Sequence, residues 1–135
     1  MELLEELKKN GYSILTSDGY FSYDSGIKPV LFRVNDDRYF FRGKIVADKI
    51  IGKASAMLMC LSGVKEVYTV VLSKSGQKIF EDNGVPYHYE QLAEYIVNRK
   101  GDGLCPMEMT VKDVDDYELA YELLKKKVEE LSGEK

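Results

Sequence analysis

Apolar positions along this chain change period several times, and each change marks a new element. Leu3, Leu4 and Leu7 form a short helical stripe, and Gly11 after Asn10 is a natural stop. Residues 12–15 and 20–23 are strand-like and flank Thr16-Ser17-Asp18-Gly19, which predicts a β-hairpin with Asp-Gly at its tip. Residues 27–35 fit a short helix with Pro29 in its first turn, although Val30-Leu31-Phe32 has strand propensity. Residues 40–47 read as a strand with Gly43 as a bulge.

The next segment is the most apolar. Asp48 is placed to cap a helix over residues 49–62, which carries Ile50, Ile51, Ala54, Met57, Leu58 and Leu61. Being apolar almost all round, that helix should be central and buried. Gly63 ends it, and residues 66–73 include Val67-Tyr68-Thr69-Val70-Val71-Leu72, an uninterrupted run of the kind covered on both faces of a sheet. Strand, buried helix and buried strand make a right-handed crossover unit. A helix over 76–83, a strand over 85–89, a helix over 91–99, a tight loop over 100–103 and a last helix over 113–131 complete the reading.

Length and composition narrow the class. At 135 residues this is one domain, residues 1–135, with 44% hydrophobic and 31% charged residues and a net charge of −4. Interspersed charges of both signs disfavour a nucleic-acid footprint, and no stretch approaches the length of a membrane span. The acidic start, Met1-Glu2-Leu3-Leu4-Glu5-Glu6, is unlike a signal peptide, and two cysteines are too few for a disulfide framework. A cytoplasmic protein is expected, with no cofactor and with a homo-oligomer compatible. The preference for Lys and Glu over Asn and Gln hints at heat adaptation.

The element order resembles the cytidine-deaminase-like superfamily. In that superfamily a His or Cys, one residue, then a Glu opens the first buried helix, and a Pro-Cys-x-x-Cys opens a second site. Gly52 falls at the first ligand position and Ala54 at that of the Glu. Cys105 and Glu108 fall at the two thiol positions, with Leu104 in place of the Pro. The segments 46–54 and 98–108 are more closely similar to a small uncharacterised prokaryotic family placed within that superfamily. The resemblance implies a three-layer α/β/α sandwich with a mixed sheet. It does not imply the superfamily's zinc chemistry here. Such a zinc needs three protein ligands and a proton-shuttling carboxylate, whereas glycine and alanine supply neither donor nor shuttle. No metal is expected.

Several residues invite two readings. Gly52 and Lys53 could serve close packing, or they could form an anion site in which free helix N–H groups and the lysine charge meet a phosphate. Asp48 is a cap or a ligand contact, and Ser55 a ligand donor or a backbone partner. Cys105, followed by Pro106 at a helix start, is a reactive thiol or a half-buried loop residue, and Glu108 is its candidate catalytic partner or a residue favoured by the helix dipole. Arg99 could line the same crevice, its fork of donors suiting phosphate or carboxylate. His88, between Tyr87 and Tyr89, reads as structural. The leading expectation is a protein that binds a nucleotide or similar phosphate-bearing metabolite through Asp48, Gly52, Lys53, Ser55, Arg99 and Cys105, without deaminase activity. A cysteine-dependent enzyme using Cys105, with Glu108 or His88 as proton partner, and a non-catalytic interaction subunit are the alternatives.

Overall fold

A computed structural model describes residues 2–24, 26–97, 101 and 103–133. The protein is of the α/β class: helix α1 (Glu2–Asn10) leads into a hairpin of β1 (Ile14–Thr16) and β2 (Phe21–Ser22), followed by α2 (Lys28–Asp36). Then come β3 (Ile45–Ile51), α3 (Lys53–Leu61), β4 (Glu66–Ser73), α4 (Lys74–Asp82) and β5 (Tyr87–Ala93), and last α5 (Pro106–Val111) and α6 (Tyr117–Gly133). Among the described residues, five strands form one mixed sheet in the order β2-β1-β3-β4-β5. The hairpin is antiparallel and pairs antiparallel with β3, while β3, β4 and β5 run parallel. The two parallel pairings are closed by α3 and α4 as crossovers, the connection a parallel pair requires.

Helices cover both faces. On one, Leu4 and Leu7 of α1 pack on Leu15, Ala47 and Tyr68. On the other, α3 brings Met57, Leu58 and Met59 into a larger core with Val46 and Val67 of the sheet, Val30 and Leu31 of α2, and Leu124 and Val128 of α6. The hairpin, α2, β4 and α4 lie close to where the hydrophobic pattern puts them. Gly19, at the hairpin tip, takes φ +97°, a conformation open to glycine.

Four expectations are corrected. The strand expected over 40–47 begins only at Ile45; Phe40, Phe41 and Arg42 form turns, with Arg42 bridging Val64. Asp48 is not a helix cap. It lies inside β3, opposite Ile14 of β1 and Thr69 of β4, and beyond it the strand continues to Ile51 because β4 pairs with it, Ile50 opposite Val71 and Ile51 opposite Leu72. The helix therefore starts at Lys53 with Gly52 as its N-cap. No helix forms over 91–97: β5 runs on to Ala93, where Leu92 pairs with Leu72, so the Leu92/Ile96 spacing that suggested helix spans a strand end and a bend. The last helix begins at Tyr117, four residues later than expected, with the Asp116 carboxylate accepting the Leu119 N–H. No helix among the described residues is long and apolar enough to cross a membrane.

Candidate functional site

The site lies where the carboxyl ends of β3 and β5 meet the starts of α3 and α5. In open α/β sheets that edge is where ligands bind, because loops and helix N-termini converge there. At its centre is Glu108, on the first turn of α5. Its Oε1 accepts the N–H of Lys53 and its Oε2 the N–H of Ala54, each at 2.8 Å. Two of the N–H groups that open α3, which have no partner within the helix, are thus satisfied by a side chain 55 and 54 positions away. Gly52 makes room for it. A Cβ at position 52 would lie 2.3 Å from Glu108 Oε1, and the backbone there (φ −106°) is one that any residue adopts. What position 52 needs is space.

Gly52 is pressed from a second side. A Cβ on Gly76, in the first turn of α4, would come within 3.1 Å of the Gly52 carbonyl, so two glycines let α3 and α4 start side by side. Glu108 is largely buried, and burial pushes its carboxyl above the usual range against the opposing pull of the Ala54 and Lys53 N–H groups and the Lys53 charge. Lys53 closes the contact from its other end: its Nζ donates to the Lys112 carbonyl, 3.1 Å away at the end of α5.

Two cavities flank Glu108. The first, about 310 Å³, has an apolar wall of Ile27, Ile50, Ile96, Val97, Pro106 and Met107. Its polar side is formed by Gly52, Ser55, Cys105 and Glu108. The second, about 140 Å³, is lined by Lys53, Ser75, Glu94, Tyr95, Leu104 and Lys112, and shares Ile96 and Glu108 with the first. Glu94 there is bound to Lys74 at 2.6 Å, whereas neither Lys53 nor Lys112 pairs with a carboxylate among the described residues.

The structure thus gathers Gly52, Ser55, Cys105 and Glu108 around one cavity and puts Lys53 in the next. Asp48 lines neither. It is buried within β3 and accepts the Ile50 N–H at 3.4 Å; burial pushes its carboxyl well above the ordinary range. Arg99 lies outside the described residues, as do Asn98, Lys100 and Asp102. His88 is on the opposite face of the sheet, stacked on Tyr68 with ring centroids 4.3 Å apart and its Nε2 2.9 Å from Glu66 Oε2. It cannot serve Cys105 as a proton partner from there, so Glu108 is the acid beside that thiol. Cys105 is the N-cap of α5, as the sequence suggested, and Cys60 is a different thiol, pushed up to about 12 by burial.

Sequence reasoning missed Ile50, Ile96 and Val97 as walls, because it assigned the first to a helix core and the others to a helix that does not form. It also missed Lys112. The zinc site of the superfamily does not fit this donor set: Cys105 offers one thiol, Gly52 none, and both Glu108 oxygens are held by backbone N–H groups.

Comparisons with known proteins agree with this architecture. Residues 2–128 match the family described as TM1506, domain of unknown function (DUF1893). The fold is similar to the crystal structure of a DUF1893 family protein, TM1506, from Thermotoga maritima. The two are 28% identical with a TM-score of 0.83, over 93% of this chain and 87% of that one. No curated protein matches the chain in sequence. With the family pattern extending over nearly its whole length, this chain belongs to the DUF1893 family.

Proposed function

We propose that the protein binds a nucleotide or a similar phosphate-bearing metabolite across the two cavities, without deaminase activity. The observation that carries the reading is the contrast between adjoining chambers: one walled by Ile27, Ile50, Ile96 and Val97, the other bearing two lysines with no carboxylate ion-pair partner among the described residues. A ligand with a largely apolar head and an anionic tail matches both. Pockets that are mostly apolar with a few placed polar groups are the usual form of a metabolite site.

The sequence suggested that the phosphate would sit on the free N–H groups of α3. Glu108 holds two of them, so the anion is assigned instead to the second chamber, with Lys53 and Lys112 as its cations. We also assign the fold to the cytidine-deaminase-like superfamily. The order of helix, hairpin, helix and parallel β-α-β-α-β supports that placement, as does the meeting of the segments around Gly52 and Glu108.

Calorimetry with nucleoside mono-, di- and triphosphates tests the ligand class. Wild type should bind at least one. Lys53→Met should lose about 1.5–3 kcal/mol, roughly a 10- to 150-fold loss, as one charge-assisted contact disappears. Its fold should survive, since a lysine head group at a cavity rim adds little packing. If wild type binds none of them, or the variant binds equally well, the reading fails and a non-catalytic interaction subunit takes its place.

One observation favours a second reading, a cysteine-dependent enzyme: Cys105 and Glu108 share a cavity large enough for a substrate. Covalent capture of an electrophilic substrate by wild type, and not by Cys105→Ser, would establish it.

A further inference from the structure

We propose that the Ser55 hydroxyl and the Glu108 carboxylate together recognise the head of the ligand, and that they select a lactam or amide edge, a C=O beside an N–H. This rests on the binding site proposed above and adds the chemistry of the group bound in its first chamber.

Ser55 is on the third residue of α3, only 7% exposed, and lines the 310 Å³ cavity. Among the described residues its hydroxyl has no hydrogen-bond partner, and no buried side-chain N or O atom is sealed away without one. The Ser55 hydroxyl therefore opens on the cavity. A serine can turn back on the carbonyl three or four residues earlier, here that of Gly52 or Ile51, and Ser55 does not. A hydroxyl that does not, at a position so buried, is held for something that enters.

Glu108 faces the same space. A carboxylate accepts at about four lone-pair positions, of which the Lys53 and Ala54 N–H groups take two. The remaining ones can only accept, so they call for an N–H on the ligand. The hydroxyl can donate to a carbonyl. Of the other lining residues, Ile27, Ile50, Ile96, Val97 and Met107 offer no side-chain donor or acceptor, apart from a weakly accepting thioether. Among the described side chains, orientation in the chamber is left to Ser55 and Glu108, with the Cys105 thiol as a weak third group.

The test uses the ¹⁵N-labelled full chain and two fragments of nearly equal shape, 2-pyridone, which has the lactam edge, and N-methyl-2-pyridone, which has lost the N–H. In wild type, 2-pyridone should shift the amide resonances of Ser55 and Val97 and bind about tenfold more tightly than its methylated partner, the effect of one buried hydrogen bond. Ser55→Ala should weaken 2-pyridone by about the same factor, to near the level of the methylated fragment. Equal binding of the two fragments by wild type overturns the proposal while leaving an apolar head chamber in place. Shifts at neither residue with either fragment overturn it as well, whatever the nucleotide calorimetry gives. The wild-type comparison decides the matter even if Ser55→Ala does not fold.

Discussion

At the scale of single residues, Glu108 and Gly52 depend on one another. A carboxylate can reach the Lys53 and Ala54 N–H groups only because position 52 has no side chain. Gly52→Ala would leave the backbone unstrained and drive the Glu108 carboxyl away, exposing the same two N–H groups that Glu108→Ala exposes. Each change should cost about 1–3 kcal/mol in urea denaturation, the range for buried groups left without a partner. The double variant should cost little more than either alone, because the interaction is removed once. Additive losses would show that the two positions act separately. Asp48 makes a different prediction. Its folded carboxyl is raised well above 3.8, so the folded state holds its proton where the unfolded chain releases it. Its contribution to stability is then complete at acid pH and lost as pH climbs from about that value through the raised one. Asp48→Asn removes the titration. The stability of the variant relative to wild type should rise with pH across that window, and a pH-independent difference would refute the assignment.

At the scale of elements, the boundary between β3 and α3 shows what local sequence can and cannot fix. Asp48 followed by Lys49-Ile50-Ile51 looks like a cap and a helix start, and nothing nearby argues otherwise. The chain takes the strand because β1 and β4 flank it at Asp48 and β4 pairs with it on to Ile51, and the helix manages without a local cap because Glu108 arrives from beyond β5. Partners that distant leave no mark on a short window. The same holds for residues 91–97, where an i, i+4 apolar spacing is overridden by pairing of Leu92 with Leu72. By contrast α5 was legible, because Pro106 fixes its start and puts Cys105 at the N-cap whatever surrounds them. Cys105 should therefore be alkylated faster than Cys60, whose thiol burial has pushed up to about 12. Peptide-resolved alkylation at neutral pH checks this. A nucleotide bound in the first chamber should also slow the reaction at Cys105 and leave Cys60 unchanged. Equal rates at the two cysteines would contradict the placement of α5.

At the scale of the whole molecule, the parallel β3-α3-β4-α4-β5 unit and the antiparallel hairpin follow from pattern and turn chemistry, and the candidate cavities lie at the edge where the helix starts converge. Its internal arrangement did not follow. The sequence offered a bare helix terminus for an anion, and the fold supplies that terminus with its own carboxylate and places Lys53 and Lys112, without a carboxylate ion-pair partner among the described residues, at a neighbouring chamber. A single ligand spanning both chambers, past Glu108, is the proposed occupant. A titration of the ¹⁵N-labelled protein with a nucleoside monophosphate measures this most directly. The amides of Ser55 and Val97, at the apolar chamber, and those of Lys53 and Lys112, at the cationic one, should shift together along one saturation curve. Shifts confined to one chamber, or none at either, would contradict it.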